Sequence, residues 1–143
     1  MELSDIVPDG KPIRLYASTR DGAIRELLLE LVKNGALAKA HVEVSLKKLL
    51  DRETFGSTGI GGGVAVPHAR LPGECEVMTA FGISSKGIPW KAQDGAPVYA
   101  VFLMLSGETP NGRSLEALAA ISRLVRDDHF LDGFRDEFDP DMT

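Results

Sequence analysis

The sequence predicts an α/β chain, a mixed β-sheet sandwiched between helices. Two apolar runs, VMTAFGI at 77–83 and VYAVFLML at 98–105, show the near-continuous hydrophobicity of strands covered on both faces. Leucine-rich stretches before and after them carry the 3.6-residue period of amphipathic helices. Helices that flank doubly covered strands imply a layered sandwich, with the 98–105 run as its central strand.

Taken in order, Ile13, Leu15 and Ala17 alternate with Arg14 and Tyr16, the pattern of a short strand with one buried face. Ser18 followed by Asp21 resembles a capping box. Ile24, Leu27, Leu28 and Leu31 then share one helical face until Gly35 ends the pattern, a helix of about four turns. Val42, Leu46, Leu49 and Leu50 repeat the spacing in a second helix that should stop near Phe55-Gly56. Between the two strands, Gly87, Pro89, Asp94-Gly95 and Pro97 mark turns, with the Trp90 ring expected to pack beneath them. Leu115, Leu118, Ile121 and Val125 make a third helix, and Phe130, Phe134 and Phe138 suggest a short last one before an acidic, Pro-broken end expected to fray.

Composition narrows the function classes. With 143 residues, 43% hydrophobic and 26% charged, residues 1–143 are expected to form a single domain with a core of its own. No apolar run approaches the roughly 18 residues of a membrane span, and the opening MELSDIVPDG carries acids and a proline where a signal peptide would be basic and then apolar. A soluble, cytoplasmic protein is expected, without membrane insertion. A formal net charge of −5, with Lys47-Lys48 as the longest basic cluster, speaks against nucleic acid as a partner. Cys75 is the only cysteine, so internal disulfides and CxxC metal sites are excluded. Its acidic neighbours Glu74 and Glu76 argue against a reactive thiolate. His41 and His129 sit among charged residues and are expected to be solvated, and neither completes a metal site with His68.

The stretch with chemical content runs from Arg52 to Ala69. Five glycines fall within the eight residues 56–63, each costing about 0.5–1 kcal/mol relative to alanine in regular structure. Such a run permits successive amides to line one concavity suited to an anion, phosphate above all, although a plain flexible loop is equally compatible with it. The nucleotide motifs are absent, because Val64-Ala65 follows the glycines where a Walker sequence needs Gly-Lys-Ser/Thr, and GxGxxG fails at Val64.

His68 follows Val64-Ala65-Val66 and the stiff step of Pro67, so its imidazole is expected at the rim of a sheet, on the way out of a strand and beside the glycines, a partly buried structural or a surface histidine being the plainer alternative. An imidazole with an unperturbed pKa of about 6.5 is a nucleophile near neutrality without a separate base. A phosphoryl group passing through it needs positioning and neutralised equatorial oxygens, so Arg52, at the end of the second helix, is the natural clamp.

Arg52-Glu53, two residues, Gly56-Ser57-Thr58-Gly59-Ile60-Gly61, then Val64-Ala65-Val66-Pro67-His68 closely resembles the phosphorylation-site signature of type-2 enzyme IIA domains of the bacterial phosphotransferase system, the fructose, mannitol and nitrogen-regulatory group. Ile88-Pro89-Trp90 with Asp94-Gly95-Ala96-Pro97-Val98, and Ser114-Leu115-Glu116-Ala117-Leu118 with Leu124-Val125-Arg126-Asp127, resemble the segments around that family's central strand. The resemblance implies a mixed sheet between helices and a phosphoryl group taken by His68 from HPr or its nitrogen-type counterpart. It also implies Arg52 beside that histidine, Ser57, Thr58, Gly59 and Gly61 around the phosphate, and neither cofactor nor metal. Sugar-specific relatives pass the phosphate to a IIB domain, whereas nitrogen-type relatives regulate target proteins.

One departure stands out. The family's His-Leu pair, whose histidine lies close to the phosphorylated one, is Ser114-Leu115 here. A hydroxyl donates a hydrogen bond but brings no charge, so slower phosphorylation is implied, while a plain N-cap role for Ser114 remains open beside a phosphate contact. Three functions follow: a phosphocarrier, most simply of the nitrogen-regulatory branch; a diverged protein-binding module that is not phosphorylated; and a small anion sensor built on the glycine loop. The sugar-uptake branch is the variant of the first.

Overall fold

The computed structural model describes residues 12–73, 76–108 and 112–125. Six strands form one sheet: β1 (Ile13–Leu15), β2 (Gly59–Gly61), β3 (Val64–Ala65), β4 (His68–Leu71), β5 (Met78–Ile88) and β6 (Val98–Gly107). Among the described residues three α-helices accompany them, α1 (Arg20–Lys33), α2 (Val42–Thr54) and α3 (Gly112–Val125), with a 3₁₀ turn over Lys39–His41 before α2. The order β1-β5-β6-β3-β2 places β6 centrally. It pairs antiparallel with β5 along one edge and parallel with β3 and then β4 along the other.

Helix α1 begins where Thr19, in extended backbone, accepts the Gly22 N–H on its hydroxyl. The cap is therefore Thr19 and not Ser18. Asp21 in the first turn and Lys33 in the last suit the helix dipole. Ala23, Ile24, Leu27, Leu28 and Leu31 make the buried stripe, and Gly35, at φ +85°, turns the chain out. Helix α2 buries Val42, Leu46 and Leu49 and stops at Phe55-Gly56 as its sequence predicts.

The sheet separates two apolar layers by residue parity. Val101, Leu103 and Leu105 of β6 join α1 and α2 on one face, together with Leu15, Ala80, Ile88 and the fully buried Trp90. Ala100 and Phe102 join Phe81, Ile83, Val64 and Val66 on the other, under Ala120, Ile121 and Leu124 of α3. Both faces of β6 are covered, which is why its sequence reads as unbroken apolar residues.

Three expectations change. Strand β5 runs on to Ile88, past the apolar segment, with its register shifting between Ile83 and Ile88. The glycine run is not a plain loop but folds into the hairpin β2–β3. His68 opens strand β4 instead of closing the strand before it, because Pro67 interrupts pairing between β3 and β4 while its carbonyl still accepts the Met104 N–H at 2.9 Å. The helix expected around Phe130, Phe134 and Phe138, the frayed end, His129 and Cys75 lie outside the described residues.

Phe81 and Phe102 stack in parallel at 4.1 Å between ring centroids, both fully buried. Phe102→Ala is expected to cost about 3–5 kcal/mol of unfolding free energy in urea titration. A loss below about 1 kcal/mol would show that this layer does not hold the sheet.

Candidate functional site

Strand β4 alternates. Ala69 and Leu71 pack into the layer under α1 and α2, which turns His68 and Arg70 to the opposite face, the one covered by α3. In register, His68 lies beside Met104 and Arg70 beside Ser106 of β6. Helix α3 starts five residues after β6 ends and runs back across this same face, so its first turn stands at the end of the sheet where His68 and Arg70 lie. Ser114 belongs to that first turn, inside the helix and not at its cap position, and its side chain is outside the described residues.

The His68 ring is half-buried, and its Nδ1 lies 2.8 Å from the Val66 carbonyl oxygen. A carbonyl only accepts, so Nδ1 carries the proton and Nε2 keeps its lone pair. The contact spans two residues along the chain and therefore fixes tautomer and ring orientation together.

The glycine segment is tied to this strand by backbone bonds. Val66 N–H donates to the Thr58 carbonyl at 3.0 Å, and Gly59 and Gly61 pair with Ala65 and Val64. Gly59 is demanded by close approach, since a Cβ there would fall 2.8 Å from Cβ and 2.9 Å from Cα of Ala92. Gly62, at φ +65°, makes the hairpin turn.

Several amides expected to face a phosphate already have acceptors within the chain. Thr58 N–H donates to Glu53 Oε2 at 3.1 Å, Gly59 N–H to Ser57 Oγ at 3.0 Å, and Gly62 N–H to Asp94 Oδ2 at 3.1 Å. The Thr58 hydroxyl donates to Glu53 Oε1 and accepts from Trp90 Nε1, and Ser57 Oγ donates to the Trp90 carbonyl at 3.3 Å. Glu53 and Thr58 are buried, so this network locks the turn between α2 and β2 over the Trp90 ring. Arg52, half-buried in the last turn of α2, donates from Nη1 to the Gly56 carbonyl at 2.8 Å, which leaves four further N–H groups on its guanidinium.

Sequence reading missed three of these groups. Glu53 and Asp94 stood only inside quoted motifs, with no partner assigned. Arg70 was legible in the alternation of His68-Ala69-Arg70-Leu71, two polar side chains on one face and two apolar ones on the other. His41 is exposed on the 3₁₀ turn, away from this constellation. A cavity of about 320 Å³ opens elsewhere, at the ends of β1 and β5 between Arg14, Tyr16, Ser18, Ser85 and Lys86. His68 does not line it.

Asp94 is held below the usual carboxylate range by the N–H donors of Ala96 and then Gly62, against the opposing effect of desolvation. A carboxyl whose folded pKa is depressed adds stability above its unfolded pKa, about 3.9, and loses that contribution as pH falls through the folded value. The thermal midpoint of Asp94→Asn is therefore expected to lie below that of the wild type at pH 7, with the gap closing in acid below about pH 4. Equal midpoints at pH 7 would remove the carboxylate from the account of the glycine turn.

The family model for the phosphoenolpyruvate-dependent sugar phosphotransferase system, EIIA 2, matches residues 12–142. A nitrogen regulatory protein of Bradyrhizobium diazoefficiens is 36% identical over 129 residues, 89% of this chain and 82% of the relative. The fructose-specific EIIA component of Haloferax volcanii is 33% identical over 106 residues, 74% of this chain and 68% of that one. Among solved structures, nitrogen regulatory protein IIA-Ntr of Neisseria meningitidis superposes with a TM-score of 0.69 at 30% identity, covering 87% of this chain and 82% of its own. Among the described residues no helix is long and apolar enough to cross a membrane. The sheet centred on β6, the helices on its two faces and the Arg52–His68 signature thus belong to a known lineage: this chain is a member of the phosphotransferase-system EIIA type-2 family, with its nitrogen-regulatory proteins among the relatives it matches.

Proposed function

We propose that this protein is a cytoplasmic phosphocarrier that accepts a phosphoryl group on Nε2 of His68 from an HPr-like protein, in the nitrogen-regulatory branch. The bond between Nδ1 and the Val66 carbonyl carries this reading, because it leaves Nε2 as the ring's one free lone pair. As Nε2 attacks, the donor's phosphorus–nitrogen bond breaks and its electron pair returns to the donor imidazole. The new Nε2–phosphorus bond makes the acceptor ring an imidazolium, and its Nδ1–H stays on the Val66 carbonyl, whose dipole favours the charge gained.

Arg52 meets the equatorial oxygens with the N–H groups not engaged by Gly56. Ser57, Thr58, Gly59 and Gly61 serve this site by shaping the turn beside β3 and β4, and Ser114 stands in the first turn of α3. A protein donor needs an accessible surface and not an enclosed pocket. Phe55, 87% exposed, and Ile60, 42% exposed, supply apolar contact area at the end of α2 and on β2. Downstream, the phosphoryl state is read by regulatory target proteins, as the nitrogen regulatory relatives favour; passage to a IIB domain, as the sequence resemblance implies for sugar-specific members, is the alternative. One observation favours a second reading: serine at 114 suits a protein-binding module that is rarely phosphorylated.

Incubation with a phosphorylated HPr-type carrier is expected to give an acid-labile, base-stable adduct whose nitrogen-15 couplings place phosphorus on Nε2, and His68→Ala is expected to abolish it. No adduct with several such carriers selects the second reading, and phosphorus on Nδ1 contradicts the tautomer. Phe55→Ser is expected to raise KM for the carrier several-fold, as loss of an exposed aromatic contact of about 1 kcal/mol would, with kcat little changed. An unchanged KM would exclude Phe55 from the docking surface.

A further inference from the structure

We infer that Arg70 is a second catalytic cation of this site, contacting the phosphoryl group on His68 and supplying charge that Ser114 does not. The inference rests on His68 as the phosphoryl acceptor. It begins from strand parity: Ala69 and Leu71 are committed to the core under α1 and α2, so His68 and Arg70 emerge on the same face of β4. Two residues along a strand span about 6.6 Å, a distance that an arginine side chain bridges. Strand β4 is anchored in register to β6 at all four positions, His68 to Met104 through Leu71 to Gly107, so the relation does not depend on a loop.

Charge is the second step. A phosphoryl group in transfer spreads negative charge over three equatorial oxygens, and donors aimed at them carry most of the rate. Thr58, Gly59 and Gly62 spend their amides on Glu53, Ser57 and Asp94, and in any case an amide has no net charge. Arg52 has one N–H committed to Gly56. Serine at 114 is neutral. Arg70 is exposed and, among the described residues, takes part in none of the ion pairs, which join Arg20 to Asp21, Arg25 to Glu43 and Lys47 to Asp51. Among the described residues, then, no carboxylate pairs with the guanidinium that emerges on the His68 face.

The covalent step is the one already described. The Nε2–phosphorus bond forms as the donor's nitrogen–phosphorus bond breaks, and Arg70 exchanges no proton. Its role is electrostatic, stronger in the transition state than in either bound ground state.

Single-turnover transfer from a phosphorylated HPr-type carrier, at saturating carrier, tests this on the intact protein. Arg70→Gln is expected to slow the step roughly tenfold to hundredfold, with wild-type circular dichroism and thermal midpoint, and Arg70→Lys to recover a substantial part. Hydrolysis of the preformed adduct, followed after the carrier is removed, is expected to change in rate in Arg70→Gln, a readout that a docking role would leave alone. A rate within twofold of wild type at saturation, or a change confined to the carrier's KM, overturns the inference while His68 keeps its role. If the wild type forms no adduct with these carriers, the His68 reading falls and this inference falls with it.

Discussion

Burial of β6 on both faces is the constraint from which the rest of the molecule follows. Once Val101, Leu103 and Leu105 are committed to the α1–α2 layer, Ala100 and Phe102 must face α3, and every strand paired to β6 inherits a parity. A slip of one residue in β4 would drive His68 into the core and expose Leu71. The Met104 N–H bonded to Pro67, followed by four in-register pairs, holds that slip off. The face on which His68 emerges is thus set by apolar packing on the far side of the sheet.

A second layer of control acts along the chain. Val66 donates its N–H to Thr58 and offers its carbonyl to His68 Nδ1, so one residue joins the glycine hairpin to the imidazole. On the other side of Thr58, the buried Glu53 carboxylate takes both its N–H and its hydroxyl, and Trp90 closes the group from below. The glycines are accordingly not a slack loop. Each of the demanding ones answers a local need, Gly59 the closeness of Ala92 and Gly62 a left-handed turn held by Asp94.

The layered fold was legible because its signals are the strong ones: two long apolar runs, two well-spaced leucine stripes, and Gly35 and Gly56 as stops. Short pieces were not. Strands β2, β3 and β4 contain two to four residues each, too few for any period to show, and their pairing is decided by β6, some thirty-five residues away in the chain. The continuation of β5 through Ser84-Ser85-Lys86 escaped for the opposite reason, since the buried Ser84 and Ser85 break the apolar run while the strand itself goes on through a register shift. At the site, His68 and Arg52 stand out by chemistry and spacing. The fate of the glycine amides could not be read, because their acceptors, Asp94 for one, come from distant positions that no local pattern marks.

On the proposed reading, the half-buried position of His68 expresses a compromise that a phosphocarrier has to make. A fully exposed ring would be free to rotate and would hold its phosphoryl group in bulk water, where the oxygens are already solvated and a fixed cation is screened within a Debye length of about 8 Å. A fully buried ring could not be reached by a protein donor. With Nδ1 pinned to Val66 and the strand anchored to β6, Nε2 is the ring nitrogen left to react, and on the proposed reading a docked carrier would supply the low-dielectric wall that completes the site. A cation on this face, as inferred for Arg70, would then act most strongly while the complex lasts and more weakly once the carrier leaves. On that reading a phosphoryl group could be stored between encounters without being bound so tightly that it cannot be passed on.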